Sequence, residues 1–359
     1  MVSPMIRTAI LGLGGVAERI HIPACRAVNG LELVGACEPV PERREQMQAR
    51  FKLPAVYPDA QTLLEKEKPE LVLIGTPPDS HRELCLLALS HGAHVVCEKP
   101  FMLSVAEADE VIAAAERQRR ALAVNTQYRY MATYSRTRER LARGEFGRLY
   151  FLQCWQQMFH PPVFEKIKWR AELKQSTLFE FGAHALDLIC FFYDALPVAV
   201  NAVIPAVRRE YDSDVLVQMT LYFPDDRLAT VALNRVSHAP ERYLEMRLDC
   251  EQASLRLSLG GVARLSGTIA RYQGRNSPSL RYSFVKGGEA RAEVGGRSVV
   301  IAQEADMAFA SATAAHLRDF LLEMREPAPA NSRARHAREI LRLVFAGYES
   351  ARKRAVVNL

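Results

Sequence analysis

The protein has 359 residues, a length that predicts two domains of ordinary size. Hydrophobic residues make up 49% and charged residues 25% of the chain, a globular composition that excludes a disordered or collagen-like protein. The net charge is +6, but the last 29 residues hold seven basic and two acidic side chains, so the rest of the chain is nearly neutral and nucleic acid is not an expected partner. No apolar run approaches the roughly 18 residues of a membrane helix, so no membrane partner is expected either.

The N-terminal residues lack the layout of an export signal, because their apolar run leads into glycines and charged residues. The seven cysteines are odd in number and form no C-x-x-C pair. Free thiols in a reducing cytoplasm are therefore expected, with no metal centre.

Up to about residue 125 the chain alternates short apolar runs with helical patterns. Such runs are typical of parallel strands that are buried on both faces. Strands are predicted at 6–11, 31–37, 71–75, 94–97 and 121–124, and helices at 41–51, 59–66, 81–91 and 105–119. Ser104 and Glu107 form a capping box at the start of the last helix. Repeated strand–helix units predict a doubly wound α/β sheet with right-handed crossovers, a domain assigned to residues 1–125.

From residue 126 to 359 the pattern predicts an α+β domain. Consecutive strands without intervening helices favour an antiparallel sheet. Strands are predicted at 149–159, 198–208, 214–223, 228–236, 243–249 and 253–259, and helices at 131–142, 178–193, 309–325 and 333–352. Residues 272–300 are rich in Gly and Ser and allow no prediction. The two closing helices, over 309–353, are candidates to pack back on the first domain.

The first chemical motif, from Gly12 to Ala17, fits the pattern G-x-G-x-x-A between a strand and a helix. The glycines allow a tight turn and let the backbone approach a pyrophosphate, and the helix start offers free N–H groups. A plain glycine turn is the alternative. Glu38, at the end of the second strand, can accept both ribose hydroxyls, which favours NAD over NADP, whereas Arg43 and Arg44 could pair with a 2′-phosphate.

Two further loops follow strands at the same edge of the sheet, where open α/β folds bind ligands. The first runs from Thr76 through Pro77 to His81, and its alternative interpretation is a rigid helix-capping turn. The second is Glu98-Lys99-Pro100. Burial beside a cationic nicotinamide would lower the pKa of Lys99 and suit it to proton transfer, although an ordinary surface lysine fits the sequence as well.

A third motif places Glu180, His184 and Asp187 on one face of a predicted helix. A carboxylate can fix the tautomer of a neighbouring imidazole and support it as a general base. A solvated helix face with a weak ion pair is the alternative. Aromatic and amide residues cluster before this helix and could line a pocket for a hydroxylated ligand, although strand alternation requires part of this cluster to be core. The cluster consists of Trp155, Gln156, Gln157, Phe159, His160, Trp169 and Arg170.

The ordered set of motifs resembles the glucose–fructose oxidoreductase, inositol dehydrogenase and MocA family (Gfo/Idh/MocA). The motifs are the glycine turn, His21-Ile22-Pro23, the Thr76–His81 loop, Glu98-Lys99-Pro100, Trp169-Arg170 and the pattern E-x-G-x-H-x-x-D. The resemblance covers nearly the whole chain. It implies an N-terminal Rossmann domain and a C-terminal domain whose open, mostly antiparallel sheet forms the substrate wall and an interface in a homodimer or homotetramer.

The resemblance also implies roles for individual residues. Lys99 and His184 would move the proton, with Glu180 and Asp187 as the acids of the motif and a cis peptide bond before Pro100. Tyr128, Arg129, Trp155, Gln157 and Trp169 would join Lys99 and His184 in contacting substrate. The cofactor would lie against the residues Gly12, Leu13, Gly14, Gly15, Val16, Glu38, Arg43, Thr76, Pro77, His81, Glu98, Lys99 and Gln127.

The sequence departs from the family pattern at two places. Glu180 stands where the family has aspartate, and Lys174-Gln175-Ser176 replaces a glycine-rich stretch. The hypothesis is an NAD-dependent dehydrogenase for a secondary alcohol of a sugar, polyol or related cyclic compound. One alternative is an enzyme that recycles bound NAD during epimerisation, elimination or glycoside hydrolysis. A second is a non-catalytic, NAD-binding regulator, against which the presence of Lys99 and His184 argues.

Overall fold

The computed structural model describes residues 5–238, 243–272, 274–304, 306 and 308–359. The N-terminal strands are β1 (Ile6–Leu11), β2 (Leu31–Cys37), β3 (Val56–Tyr57), β4 (Leu71–Ile74), β5 (His94–Cys97) and β6 (Leu122–Val124). They form one parallel sheet in the order β3-β2-β1-β4-β5-β6. Three of the five predicted strands have the observed bounds and two differ by one residue, and the short β3 was not predicted. The Rossmann architecture is therefore confirmed.

Helices connect these strands. They are α1 (Ile22–Arg26), α2 (Pro41–Phe51), α3 (Ala60–Glu67), α4 (His81–Ser90) and α5 (Val105–Arg117). The predicted capping box is present at α5, where the Ser104 hydroxyl accepts from the amide of Glu107 at 3.2 Å. The carboxylate of Glu107 accepts in return from the amide of Leu103 at 3.0 Å. Two of the free amides at this helix end are thereby satisfied.

The second domain contains a large sheet of the predicted kind. Its strands, with a separate hairpin, are β7 (Leu149–Gln157), β8 (Ala199–Val203), β9 (Leu216–Tyr222), β10 (Leu228–Asn234), β11 (Leu244–Cys250), β12 (Ser254–Leu259), β13 (Val262–Tyr272), β14 (Arg275–Val285), β15 (Gly288–Val294), β16 (Arg297–Glu304) and β17 (Val357–Asn358). Nine of them pair in the order β16-β15-β12-β11-β7-β10-β9-β8-β17, while β13 pairs with β14. Among the described strands of this large sheet, every neighbouring pair is antiparallel except β7 and β10, which are parallel.

The helices of this domain are α6 (Ala132–Ala142), α7 (Lys168–Ala171), α8 (Gly182–Tyr193), α9 (Phe309–Glu323) and α10 (Ser332–Lys353). Among them, α6, α8 and α10 pack on strands of the large sheet. The predicted helix at 178–193 starts as a π-helical turn over Thr177–Phe181 before α8 begins. Gly182 lies at this change of helix type, where an added Cβ would come within 2.9 Å of the side chains of Leu178 and Leu233. The wide turn therefore packs directly on the sheet.

The closing helices contact the N-terminal domain. On α9, Leu317 and Phe320 are fully buried in one cluster with Ile10 of β1. Asn331, just before α10, is also buried, and its side-chain oxygen accepts from the amide of Leu122 at 2.7 Å. Because β6 is an edge strand, this side-chain oxygen supplies a hydrogen-bond acceptor that no neighbouring strand provides. The two domains are joined by a continuous apolar core as well as by the chain.

All seven cysteines are buried and free. Within the described part of the chain, no helix combines the length and apolar character needed to cross a membrane.

Candidate functional site

A cleft of about 720 Å³ lies between the carboxyl ends of the N-terminal strands and the π-helical turn before α8. Its walls bring together most of the predicted site residues. Those that line it are Gly12, Gly14, Gly15, Val16, Glu38, Thr76, Pro77, Glu98, Lys99, Gln127, Tyr128, Trp169, Glu180 and His184. The volume is of the size that ligand pockets have in proteins.

The glycine turn forms one end of this cleft. Gly12 has φ +87°, and a Cβ there would lie 2.8 Å from the methyl group of Thr76. A larger residue at position 12 would therefore be both strained and in collision with the neighbouring loop. An added Cβ at Gly14 meets nothing within 4 Å, so the backbone there is open to the cleft. These two features fit a turn that a dinucleotide pyrophosphate approaches closely.

Glu38 is anchored beside this turn. Its carboxylate accepts from the amide of Leu13 at 3.0 Å and from the amide of Val40 at 3.1 Å. Arg43 binds Glu18 at 2.6 Å and the carbonyl oxygen of Leu13 at 2.9 Å, so it is engaged beneath the turn and does not line the cleft. Contact of Arg43 with the cofactor therefore stays a prediction. Glu38, in contrast, lines the cleft beside the glycine turn.

His81 and Leu13 lie beside the cleft and are fully buried. The ring of His81 lies against the carbonyl oxygens of Thr76 at 2.9 Å and Pro100 at 3.0 Å, which belong to the two cleft loops. Burial lowers the pKa of His81, while these carbonyl contacts act in the opposite direction. Leu13 contributes its backbone amide to Glu38 and its side chain to the core.

Glu98 lies at the floor of the cleft in a buried polar network. Its carboxylate contacts Nε2 of His21 at 2.8 Å and accepts from the side-chain amide of Asn125 at 2.7 Å. Burial opposes ionisation, but these partners outweigh it and lower the pKa of Glu98 to about 2. The peptide bond between Lys99 and Pro100 is cis, as the family resemblance implies. The network fixes the backbone from which Lys99 enters the cleft.

The Lys99 ammonium lies next to Glu180. Its Nζ donates to the carbonyl oxygen of Glu180 at 3.2 Å and lies 3.9 Å from the carboxylate of the same residue. Burial lowers the pKa of Lys99, while the negative charge of Glu180 acts in the opposite direction. Arg170 also binds the Glu180 carboxylate, at 2.7 Å. A single buried carboxylate therefore holds two cations at the wall of the cleft.

His184 faces the cleft from the first turn of α8. Its ring stacks on Tyr128 with 4.0 Å between centroids and 3° between planes. Burial, reinforced by the nearby charge of Lys99, lowers the pKa of His184 to about 3. The imidazole is therefore neutral near pH 7.

Asp187 does not line this cleft, but with Lys99 and His184 it lines a smaller neighbouring cavity, and its role beside the reacting groups stays a prediction. Its two oxygens accept from Arg129, both at 2.7 Å, and one of them also contacts His336 at 3.1 Å. Burial raises the pKa of Asp187, but Arg129 and His336 outweigh burial and lower it to about 2. Arg129 is thereby committed to a structural ion pair and does not line the cleft. Sequence spacing alone could not distinguish the partner of Asp187 from that of Glu180.

Strand parity separates Trp155 and Gln157 from the cleft. Along β7, Leu152, Cys154 and Gln156 are buried on one face, so Trp155 and Gln157 point to the opposite face. They do not line the cleft. Gln156, of the same predicted cluster, donates its amide to the hydroxyl of Tyr243 at 2.6 Å, and Tyr243 lines the cleft.

Several residues of the cleft were missed by the sequence analysis as site residues. They are Arg19, Ile20, Pro39, Gly75, Pro78, Ile167, Phe181, Tyr243 and Phe309. Tyr243 precedes β11 and Phe309 begins α9, and neither carries a local signal. Within the described residues, no group of three or more His, Cys, Asp or Glu side chains is arranged to hold a metal ion.

Comparison with known proteins agrees with this geometry. Residues 6–126 match an oxidoreductase family with an NAD-binding Rossmann fold, and residues 134–256 match the GFO/IDH/MocA C-terminal domain. The fold and the nucleotide-type cleft thus define an oxidoreductase class. The chain belongs to the Gfo/Idh/MocA family.

Curated relatives are similar over part of their length. D-glucoside 3-dehydrogenase of Escherichia coli is 31% identical over 150 residues, which are 42% of this chain and 43% of that protein. D-apiose dehydrogenase of Paraburkholderia graminis is 28% identical over 215 residues, 58% of this chain and 56% of that protein. The chain thus spans about half the length of the curated relatives that it matches.

Solved structures match over the whole chain. An oxidoreductase from Agrobacterium radiobacter, in complex with NAD+, L-tartaric acid and magnesium, has a TM-score of 0.81 at 20% identity and covers 98% of both chains. Myo-inositol 2-dehydrogenase from Lactobacillus plantarum has a TM-score of 0.78 at 19% identity and covers 99% of both chains. At this level of identity the likeness establishes the fold.

Proposed function

We propose that the protein is an NAD-dependent dehydrogenase that acts on a secondary alcohol, or the corresponding ketone, of a sugar, polyol or related cyclic compound. One observation carries this proposal. Lys99 and neutral His184 line the same cleft as an open glycine turn and the carboxylate of Glu38. A proton donor and a proton acceptor are thus held where the substrate would meet the cofactor. The names of the curated relatives support the substrate class.

The preference for NAD rests on Glu38. Its carboxylate is fixed by two backbone amides and lines the cleft, where it can accept both adenosine ribose hydroxyls. A 2′-phosphate would place negative charge against it. Arg43 is held by Glu18, and Arg44 donates to the carbonyl oxygens of Glu38 and Pro39, so neither guanidinium is directed at that position.

The mechanism follows from the protonation states. When bound, the nicotinamide ring supplies the acceptor for a hydride from the carbinol carbon. His184 is neutral and is the candidate acceptor of the hydroxyl proton, and the charges of Asp187 and Glu98 favour its protonated form against burial. The Lys99 ammonium donates a hydrogen bond to the same oxygen and stabilises the negative charge that develops there. Glu180 keeps this ammonium charged and in place.

Closure of the cleft around the substrate strengthens these interactions. Trp169 and Phe181 line the substrate end with apolar surface, and Tyr128 supports the imidazole by stacking. Excluding water lowers the local dielectric constant, so each hydrogen bond to the oxygen stabilises the transition state more.

The assay is the appearance of reduced nicotinamide absorbance with NAD, and separately NADP, over a panel of sugars, polyols and inositols. The substitution Lys99→Ala is expected to lower kcat by a factor of about 100 or more, the range of general acid–base contributions, with little change in NAD affinity. The matched control is Lys168→Ala, whose ammonium is exposed and paired with Glu172 outside the cleft. Equal turnover in the two variants would contradict the assignment.

The same assay separates the two alternatives. An enzyme that recycles its cofactor would retain NAD through purification and release no NADH while it converts the substrate. A regulator would bind NAD and a second protein without turnover. The dehydrogenase predicts net NADH release that depends on Lys99.

The remaining proposals concern organisation. The change from a parallel to a mostly antiparallel sheet after β6 supports a domain boundary near residues 125 and 126. Seven buried, free thiols support a reducing compartment, the cytoplasm. We also propose that the protein forms homodimers or homotetramers.

A further inference from the structure

A two-stranded ribbon extends beyond the C-terminal sheet. The pair β12–β15 ends at Leu259 opposite Gly288, and the pairing resumes at Val262 opposite Val285. From there β13 and β14 pair with each other for eleven residues and form a sheet of their own. The ribbon is about 36 Å long and about 10 Å wide, from the usual rise per residue and strand spacing.

One face of this ribbon is apolar and uncovered. The four residue pairs on that face, from Ala263↔Phe284 to Ile269↔Pro278, contain no charged side chain. Its five large side chains are 55–73% exposed and are Leu265, Ile269, Leu280, Tyr282 and Phe284. On the opposite face the hydroxyls of Thr268 and Ser279 form a hydrogen bond at 2.5 Å. Apolar and polar residues alternate along the ribbon as they do in a strand pair that buries one face. No described part of the same chain covers the apolar face, which remains exposed.

Such a ribbon needs a partner. A two-stranded hairpin is marginally stable alone in water, and a contiguous apolar patch of this size marks an interaction site. Glycines form the root of the ribbon. Gly288 has φ +142°, and an added Cβ there would collide with the backbone of Ser258. The apolar face is therefore presented on an arm that the sheet holds at one end.

We infer that this apolar face packs on a second copy of the same chain. The argument is one of area. A face of about 36 by 10 Å is about 350 Å², so one ribbon on one foreign surface would bury about 700 Å² in total, the size of an incidental crystal contact. In a two-fold dimer each copy both offers a ribbon and receives one. Four such faces amount to about 1,400 Å², which lies within the range of specific interfaces.

The receiving surface is an apolar cluster at the mouth of the cleft. It consists of Phe159, Val163, Phe164 and Ile167, which are 40–70% exposed. The cluster follows the carboxyl end of β7. At that end Gln156 pairs with Leu244 of β11, and Leu244 pairs with Leu259 of β12, which is at the root of the ribbon. Ribbon and cluster thus lie at the same end of the sheet. Two-fold symmetry can therefore bring each ribbon onto the cluster of the other copy.

This arrangement places the partner beside the substrate entrance. Ile167 belongs to the receiving cluster and also lines the cleft. A ribbon seated there would extend the apolar wall of the entrance and shield it from water.

The test is the molar mass in solution, measured by sedimentation velocity over micromolar concentrations. The wild-type protein is expected to be a dimer or a higher even oligomer, and the double variant Leu265→Glu/Leu280→Glu is expected to have half the wild-type mass. The matched control is Val198→Glu/Val356→Glu, which places two carboxylates at side chains about half exposed and outside the ribbon and the cluster. Far-UV circular dichroism and NAD binding confirm that each variant is folded.

A second variant keeps the test decisive if the charges disturb the arm. Replacing residues 263–284 by a short glycine linker removes the ribbon and is likewise expected to halve the mass. A monomeric wild-type protein would overturn the inference, including one that binds lipid vesicles or another protein through the ribbon. An oligomer of unchanged mass in both ribbon variants would overturn it too, because another face would then form the interface.

Discussion

Replacing Glu180 by Gln tests how the charge of Lys99 is controlled. The Lys99 ammonium and the Glu180 carboxylate are 3.9 Å apart and largely buried. At an effective dielectric constant of about 20, a pair at this distance gains roughly 4 kcal/mol. Arg170, which binds the same carboxylate, remains as a repelling charge after the substitution. The pKa of Lys99 is therefore expected to fall.

The sign of the effect is fixed by the role proposed for the ammonium. Lys99 must be protonated to donate to the substrate oxygen, so activity is lost as the pH rises through its pKa. In Glu180→Gln the alkaline limb of kcat/KM against pH is expected to move to lower pH. If turnover is too low to follow, the pH dependence of Lys99 acylation, read by mass spectrometry, reports the same pKa.

The matched control is Glu172→Gln, an exposed carboxylate on the same segment that pairs with Lys168. Its profile is expected to coincide with that of the wild type. A Glu180→Gln profile that also coincides, or that moves to higher pH, would refute the electrostatic coupling. The Lys99 side chain would then respond to other groups of the cleft.

Three further predictions concern stability and cofactor binding. Asp187→Asn removes one member of a buried ion pair and is expected to lower the free energy of unfolding by about 3–5 kcal/mol, whereas Asp194→Asn, at an exposed carboxylate, has little effect in urea titration. The pKa of Asp187 in the folded protein is lowered to about 2, so its ionised form contributes about 2 kcal/mol to the free energy of unfolding above pH 4. This contribution is lost as the pH falls to 2. A free energy of unfolding that is independent of pH over that range would contradict this. Gly12→Ala is expected to abolish NAD binding, measured by calorimetry. The control is Gly30→Ala, at a residue that has a similar φ but open space around an added Cβ, and it is expected to lower the free energy of unfolding by only about 1–2 kcal/mol. Glu38→Gln is expected to weaken NAD binding about tenfold or more and to reduce the ratio of the affinities for NAD and NADP. Unchanged affinities for both cofactors would exclude a contact between Glu38 and the ribose.

The sequence predicted the N-terminal half of the site because local rules determine it. Parallel strands that are buried on both faces appear as short apolar runs, and their carboxyl ends lie on one edge. Gly12, Glu38 and Lys99 each follow such a run directly, so the edge gathers them in the cleft. The positive φ of Gly12 is the kind of backbone requirement that a glycine in the sequence signals.

Residues 272–300 could not be predicted because their strands lack the usual signal. β14 exposes its apolar residues and β16 exposes Val299 and Val300, so neither alternates between core and solvent in the ordinary way. Gly and Ser at the ends of these strands also resemble loops. A pattern that depends on a second molecule, as proposed for the ribbon, is not recognisable from the burial rules of a single chain.

The acids of the E-x-G-x-H-x-x-D motif mark the limit of spacing arguments. Helical spacing places Glu180 and Asp187 near His184, but the π-helical turn changes the direction of the first and tertiary partners determine the second. Both oxygens of Asp187 are occupied by Arg129, a residue that was itself predicted to contact substrate. Glu180 instead meets the cations of the cleft. Which of the two carboxylates lies at the cleft is therefore decided by its tertiary partners, a property of the packed structure and not of the motif.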